Sequence, residues 1–193
     1  MKYNVSEIND LIKDRRTIKP EDFGKRKVHR ELIEVLLDNA RWAPTHGMTQ
    51  PWYFKVFMNE GLKQFGDAHA AMYKANPGVI FNEKKFEKLK ERPLLASAVI
   101  GICMRRQEIE KIPEQEEMAA VACAVQNMQL TATAYGLGAY WGSGGMTYTD
   151  EMKQFLGLTP KDKCLGFLYI GYPGVSWPKG QRRPIEYYTD WVD

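Results

Sequence analysis

The 193-residue sequence contains little cysteine and little histidine, with three residues of each. Cys103, Cys123 and Cys164 lie far apart and in apolar stretches, so the sequence predicts neither a disulfide framework nor the paired spacing of a zinc site. We therefore expect all three cysteines to be core residues, and we expect no metal site.

Several nucleotide-binding and metal-binding motifs are also missing. The sequence has no Gly-x-Gly-x-x-Gly segment after its first predicted strand, no phosphate loop ending in Gly-Lys-Ser/Thr and no paired histidines at metal-ligand spacing. An enzyme built on this chain is therefore expected to take its reactivity from a bound cofactor.

The N-terminus lacks a long apolar run. Residues 1–14 alternate polar and apolar side chains, unlike a signal peptide, so we expect a cytoplasmic protein. A longer stretch of apolar and small residues lies between 113 and 135. Gln126, Asn127 and Gln129 interrupt that stretch, which favours a buried or subunit-facing helix over a membrane span.

The sequence has no large excess of positive or negative charge, since it contains 27 basic and 24 acidic residues and its formal net charge is +3. The most basic stretch, residues 84–92, includes acids and keeps Phe86 and Leu89 three residues apart, as on one face of a helix. A solvated helix face is therefore favoured over an RNA or DNA patch, and we predict no nucleic-acid partner.

The length allows one ordinary globular core, so we predict a single domain over residues 1–193. Helices are predicted near residues 6–15 with Ser6 as the cap, around 32–37 with an end near 41–44, and from 113 to about 135. Strands are predicted at 51–58 followed by a turn at 59–61, and at 94–103, 139–142 and 163–171. Because these elements interleave without a regular βαβ run, we expect an α+β fold with a mixed sheet flanked by helices.

A cluster of cations follows the first predicted helix. Within five residues it places Arg15, Arg16, Thr17 and Lys19. Arginines form forked bonds to phosphate and a threonine hydroxyl adds another bond, so the cluster is a candidate anion site. The alternative is an ordinary basic cluster on the surface.

A second candidate segment is the turn-rich loop at 43–52, which leads directly into a strand. Its two prolines restrict the backbone, while Thr45, His46 and Gln50 offer polar groups. Such a loop suits the edge of a planar ring system. The alternative is a helix stop and strand entry, with His46 structural and Trp52 a core aromatic.

Together these two segments resemble the nitroreductase family, in which helix-Arg-Arg-Ser/Thr is followed about thirty residues later by Ala-Pro-Ser-x-x-x-x-Gln-Pro-Trp. The resemblance continues through Gly-Leu-Gly-Ala-Tyr-Trp-Gly-Ser-Gly-Gly at 136–145, Gly-Phe-Leu-Tyr-Ile-Gly-Tyr-Pro at 166–173 and Arg-Arg-Pro-Ile-Glu at 182–186. It covers nearly the whole chain, and residues 59–89 are the least similar part.

The family resemblance implies a nitroreductase-like fold with a central mixed, mainly antiparallel sheet and a domain-swapped homodimer that binds FMN non-covalently at its interface. Arg15, Arg16 and Thr17 are then implied to meet the ribityl chain and phosphate, and Arg182 or Arg183 to close over the phosphate.

Lys19 gains a particular role from the resemblance. It is implied to lie near the pyrimidine edge of the flavin, where a fixed positive charge stabilises the negatively charged reduced ring. The alternative for Lys19 is an exposed lysine without a role in the site.

The remaining implied contacts come from two other segments. Thr45, His46 and Gln50 are implied to approach the flavin from the partner subunit, and backbone amides near Ser143 and Gly144 to point at the ring nitrogen that accepts hydride. Glycines there permit close backbone approach. The implied cofactor-binding set is completed by Met48, Trp141 and Gly142. Met48 and Gly142 stand where relatives place Asn and Arg, which leaves substrate preference open.

The implied activity is hydride transfer from NADH or NADPH, through FMN, to nitroaromatics, quinones or other small oxidised substrates in a ping-pong mechanism. No side chain need act as acid or base, because hydride moves directly between stacked rings. Two alternatives stay open. One is a specialised flavin enzyme of the same fold, such as a dehydrogenase, a dehalogenase or a flavin-degrading enzyme. The other is a flavin- or RNA-binding module that uses Arg15, Arg16, Arg105, Arg106 and residues 84–90.

Overall fold

The computed structural model describes residues 2–192 and shows helices alternating with the strands of one sheet. The helices are α1 (Val5–Asp14), α2 (Arg30–Ala40), α3 (Glu60–Ala75), α4 (Glu83–Glu91), α5 (Glu114–Ala134) and α6 (Asp150–Leu156). The strands are β1 (Trp52–Met58), β2 (Ala98–Met104), β3 (Gly138–Gly142) and β4 (Lys163–Gly171). Short 3₁₀ helices occur at Pro20–Asp22, His46–Met48, Arg92–Leu95 and Ile185–Tyr187.

The sheet has the strand order β1-β2-β4-β3, and every neighbouring pair is antiparallel. Strand β3 is therefore an edge strand. Thr17 pairs with Ala139 on that edge in a parallel bridge. The predicted mainly antiparallel sheet is confirmed, but the expectation of a mixed sheet is wrong, because all four strands pair antiparallel and the parallel pairing of Thr17 with Ala139 is an isolated bridge outside the strands.

Strand β2 is buried along its whole length, as its continuous apolar sequence predicts. Ile100 and Ile102 belong to the core shared with α2 and α5, whereas Val99 and Cys103 belong to the core shared with α3 and α6. Side chains alternate between the two faces because successive residues of a strand point in opposite directions. The strand begins later than predicted, since Arg92–Leu95 forms a 3₁₀ helix.

Helix α1 is capped by Asn4 and not by Ser6, so the predicted cap is wrong. The Asn4 side chain accepts hydrogen bonds from the backbone nitrogens of Ser6 at 3.1 Å and Glu7 at 3.5 Å. Ser6 already lies inside the helix, past the position where a side chain can reach the free N–H groups. No residue of α1 is buried in the single chain.

Two helices escaped sequence-based prediction. The turn expected at 59–61 is limited to Asn59, which has a φ of 50°, and α3 begins at Glu60. Helix α6 follows Thr149, whose side chain caps it. Helix α3 packs closely on the end of α4, because a Cβ at Gly66 would lie 2.2 Å from the carbonyl oxygen of Lys90.

The cysteines do not all share the predicted environment. Cys103 and Cys164 are buried as expected, but Cys123 on α5 is exposed, so its assignment to the core is wrong. Helix α5 itself spans the predicted range, with Pro113 as its N-cap and three acids in its first turn. None of the helices within residues 2–192 is long and apolar enough to span a membrane.

Candidate cofactor site

The predicted cationic segment runs along the outer edge of β3. The backbone nitrogen of Ile18 donates to the carbonyl of Ala139 at 3.1 Å, and the Ile18 side chain is buried. Thr17 and Lys19 on either side are exposed, as the alternation of an extended chain requires. Within residues 2–192, the Lys19 side chain forms neither a hydrogen bond nor an ion pair.

The C-terminal tail brings Arg182 to the end of α1, where it lines a surface pocket together with Lys13 and Arg16. Arg15 follows the end of α1, and its Nη1 atom donates to Oε1 of Gln129 on α5 at 3.1 Å. Burial lowers the pKa of Arg15, and the positive charges of Arg182 and Arg16 lower it further. Like charges held this close favour an anion between them. The tail thus adds a second arginine to the candidate anion site.

The other two arginines of the predicted set have different surroundings. The Arg16 guanidinium donates to main-chain carbonyls, including that of Pro178 at 3.0 Å. Arg183 lies over the ring of Tyr187, 5.5 Å from its centroid. Arg182, and not Arg183, is therefore the tail residue whose charge acts on Arg15.

The loop that carries Thr45 has an unusual backbone. Gly47, Met48 and Gln50 have φ values of 57°, 54° and 47°. Positive φ is uncommon for residues other than glycine, and such conformations cluster at functional sites. The Thr45 hydroxyl stabilises the loop by accepting from the backbone nitrogen of Gln50 at 3.1 Å. The side chains of His46, Met48 and Gln50 are exposed.

A single chain keeps this loop away from the arginines. His46 Nδ1 lies 2.5 Å from Glu116 Oε2 in the first turn of α5. Arg15 contacts Gln129, which is farther along the same helix by about 20 Å at 1.5 Å per residue. The two segments that the sequence places in one site are therefore separated in the monomer.

The glycines after β3 line a cavity between the sheet and α4. It has a volume of about 180 Å³. Its wall consists of His69, Lys85, Lys88, Leu89, Arg92, Tyr140, Gly142, Gly144, Gly145, Phe167 and Tyr169. The side chain of Trp141 is directed to the opposite face, where its Nε1 donates to the carbonyl of Leu165 at 3.0 Å.

The cations of this cavity were not predicted as site residues. Glu21 lies 3.4 Å from Lys88 and 3.0 Å from Arg92. The Arg92 guanidinium stacks 4.5 Å from the ring centroid of Tyr140. Burial opposes the charge of Arg92, but hydrogen bonds to Tyr140 and Glu21 outweigh burial and raise the pKa of Arg92. The sequence shows only an amphipathic basic helix, and tertiary packing places that helix over β3.

His69 was also missed by sequence reasoning. It is almost fully buried on α3, and its Nε2 accepts from the backbone nitrogen of Met146 at 2.9 Å. Burial, with a smaller effect of Lys85, lowers the pKa of His69 to about 4. The imidazole is therefore neutral at pH 7. A Cβ at Gly145, where φ is 71°, would lie 2.3 Å from this nitrogen, so glycine permits the contact.

Comparisons with known proteins agree with the fold. A sequence profile of the nitroreductase family matches residues 12–172. The chain is 32% identical in sequence to a nitroreductase-like family protein from Bacillus cereus. The crystal structure of that protein matches this one with a TM-score of 0.82 over 100% of this chain and 98% of that one. It is also 32% identical over 146 residues to the Escherichia coli K12 protein YdjA, which is provisionally named an NAD(P)H nitroreductase; the match spans 76% of this chain and 78% of YdjA. The crystal structure of the FMN-dependent nitroreductase NfnB from Mycobacterium smegmatis in complex with NADPH shares the fold, with a TM-score of 0.74 at 17% identity over 98% of this chain and 100% of that one. The chain belongs to the nitroreductase family.

Proposed function

We propose that this chain is a homodimeric, FMN-dependent oxidoreductase that uses NADH or NADPH to reduce nitroaromatics, quinones or related small oxidised substrates. The observation that carries the proposal is one continuous path along the edge of β3. The segment from Arg15 to Lys19 pairs with this edge at Ala139, and Tyr140 and Gly142 of the same strand line the cavity. The named relatives support it, since the Mycobacterium smegmatis structure is described as FMN-dependent and contains NADPH.

The arginine end of the path fits a phosphate monoester. Arg15 and Arg182 each carry a fork of N–H donors, and the exposed Thr17 adds a hydroxyl. A single phosphate matches this short set of donors, and the sequence has no fingerprint for a dinucleotide. We propose that these residues hold the FMN phosphate.

The glycine end of the path fits a flat ring. A Cβ at Gly144 would meet no described atom within 4 Å, so the backbone there faces open space. Lys85, Lys88 and Arg92 line the cavity and outnumber Glu21, which pairs with Lys88 and Arg92. This excess of positive charge suits a ring that becomes negative on reduction.

A second copy of the chain is proposed to complete the site. The cavity volume of about 180 Å³ is below the roughly 300–1,000 Å³ of small-molecule sites, so one chain encloses only part of the cofactor. We propose that Thr45, His46, Met48 and Gln50 of the other subunit supply the missing wall. Exposed apolar surface supports a dimer. It includes Val5, Ile8 and Ile12 of α1 and Ile185, Tyr187, Tyr188 and Trp191 of the tail.

Bound FMN would supply the hydride chemistry. The residues of the chain would bind the cofactor and stabilise its negatively charged reduced form. Arg15 and Arg182 bind the phosphate, while Lys19 and the cations of α4 favour the reduced charge state. His69 fixes the loop that follows β3, which aligns the backbone amides near Ser143 and Gly144. In this proposal the two half-reactions alternate, and the oxidised nicotinamide leaves before the oxidant binds.

The test is the spectrum and reactivity of the purified protein. We expect a yellow protein with one FMN per chain and no FAD, anaerobic bleaching by NADH or NADPH, and recovery of colour with a nitroaromatic or quinone. Initial rates at varied substrate concentrations should give parallel double-reciprocal lines. A colourless protein that FMN cannot reconstitute contradicts the proposal.

Further measurements on the purified protein distinguish the proposed reductase from a specialised flavin enzyme and from a binding module. Rates across a series of oxidants separate a general reductase from a specialised flavin enzyme. RNA binding with a steep salt dependence would favour the binding-module alternative. Arg106 gives the RNA-binding alternative little support, because its side chain is only 9% exposed and forms an ion pair with Glu117.

A further inference from the structure

The guanidinium of Arg16 is bound by the chain's own backbone. Its Nε donates to the carbonyl of Pro178 at 3.0 Å, and its Nη1 donates to the carbonyls of Lys13 and Arg15. An arginine has five N–H donors, so these three bonds leave only the Nη2 pair. Arg16 is thus engaged in the single chain before any anion arrives.

The tail fits closely around this guanidinium. A Cβ at Gly180 would lie 2.1 Å from Nη2 of Arg16 and 2.3 Å from its Cζ, so the tail backbone lies directly against the charged plane. A side chain at position 180 would have to displace this guanidinium. The remaining Nη2 donors therefore face the tail.

A second residue ties the tail to the same place. The Nε1 of Trp177 donates to the carbonyl of Asp14 at 2.7 Å. Asp14 is the last residue of α1, where helix carbonyls lack partners within the helix. Arg16 and Trp177 thus join the C-terminal carbonyls of α1 to residues 177–180. These two hydrogen-bonded contacts together hold the tail at the end of this helix.

The consequence lies two residues farther along the tail. Arg182 follows Gly180 closely and lines one surface pocket together with Lys13 and Arg16, and its charge acts on Arg15. A free tail would leave Arg182 far from Arg15 for most of the time, because ordering each residue of a flexible segment costs about 1–2 kcal/mol of conformational entropy. The contacts at 177–180 remove much of that cost before an anion binds.

We infer that Arg16 is a positioning residue, which together with Trp177 clamps the C-terminal tail to α1 so that Arg182 lies beside Arg15 as the second half of the anion site. The inference rests on the proposed function in one respect, since it takes the anion to be the phosphate of FMN. It assigns different roles to Arg16 and Arg15, although the two arginines are adjacent in sequence and carry the same charge.

The test compares FMN with riboflavin, which lacks the phosphate. The variants are Arg16→Ala, Trp177→Phe and the double variant, titrated as apoproteins with each flavin. We expect each single variant to bind FMN about tenfold more weakly, in line with the loss of one or two hydrogen bonds, and riboflavin as tightly as the unaltered chain. Unchanged riboflavin affinity also shows that a variant is folded.

The double variant decides between a clamp and a direct ligand. Because both residues act through one clamp, the double variant should bind FMN no more weakly than either single variant, which is strong non-additivity. Arg16→Lys should resemble Arg16→Ala, since lysine keeps the charge but cannot bond several carbonyls in fixed directions. Unchanged FMN affinity in Trp177→Phe, or full rescue by Arg16→Lys, overturns the inference.

A readout without flavin keeps this inference distinguishable from the proposed function. Limited trypsin digestion of the apoprotein should cut after Lys179 and Arg182 faster in both single variants than in the unaltered chain. Arg30→Ala, which removes an exposed arginine paired with Glu34, is the matched control and should not change the rate. If the unaltered chain binds no FMN, the proposed function fails while digestion still reports on the clamp. Equal digestion rates in all four proteins contradict the clamp itself.

Discussion

Nε2 of His69 accepts a hydrogen bond from the backbone nitrogen of Met146 over 2.9 Å, so helix α3 holds the loop that follows β3. The contact needs a neutral imidazole, because a doubly protonated ring has no acceptor. The loop includes Gly144, whose backbone faces the open space of the proposed flavin site. The protonation of a buried histidine is thereby linked to the shape of the site.

This contact predicts a pH-dependent stability. The folded pKa of His69 is about 4 and its ordinary value is 6.5, so between these values the unfolded chain binds a proton that the folded chain does not. The contribution is complete above pH 6.5 and is lost as pH falls toward 4, by roughly 3 kcal/mol. Urea unfolding across this range should show the loss. His69→Gln keeps an acceptor without titrating and should show a shallower pH dependence. Equal slopes in the two proteins contradict the prediction.

Lys19 is predicted to tune the flavin and not to anchor it. In Lys19→Met, FMN occupancy should fall little, because the proposed phosphate ligands Arg15 and Arg182 are unchanged. The midpoint potential should become more negative by roughly 30–65 mV, the equivalent of a charge-assisted contact of about 1.5–3 kcal/mol. Reduction by NADH or NADPH should slow with it. Potentiometric titration measures the shift, with Lys19→Arg as the control that keeps the charge. An unchanged potential would leave Lys19 as a surface lysine.

Arg15 is predicted to show the opposite behaviour. Arg15→Ala removes a forked phosphate donor and should weaken FMN binding by about 10- to 100-fold. The potential of the flavin that stays bound should change less than in Lys19→Met. Fluorescence titration of the apoprotein measures the affinity, and Arg30→Ala serves as a control for the loss of one positive charge. Equal effects of Arg15→Ala and Arg30→Ala would argue against a phosphate site at Arg15.

The dimer is predicted to depend on the exposed face of α5. Ala119, Ala122 and Cys123 form a strip of small residues that a second subunit is able to approach closely. Ala122→Arg should produce a monomer with weakened flavin binding, because the loop at 45–50 then no longer reaches the other site. Ala71→Arg, on an exposed position of α3, should leave the dimer intact. Sedimentation velocity with flavin absorbance distinguishes the two. A flavin-bound monomer of the unaltered chain contradicts the proposed dimer.

Local sequence patterns determined the buried strands and the long helix. Strand β2 is apolar on both faces, and α5 begins at Pro113 with acids in its first turn, so short-range chemistry alone predicts these elements. The family motifs pointed to Arg15, Thr17 and the glycines after β3 as candidate site residues, because close backbone approach and anion binding need particular residue types at fixed positions. The cap at Asn4 was missed because Asn4 and Ser6 are both good capping residues and only the backbone distinguishes them.

Tertiary packing decided which charged residues share a site. The sequence shows residues 84–92 as an amphipathic basic helix, and only the packing of α3 and α4 against the sheet places Lys85, Lys88 and Arg92 at the cavity. His69 carries no local signal at all, since its partner Met146 lies far along the chain. Arg15 and Arg16 look equivalent in sequence, yet Arg15 donates a hydrogen bond to Gln129 and Arg16 donates one to the tail. Contacts between distant segments depend on how whole helices and strands pack, and a local pattern specifies the side chains without specifying their neighbours.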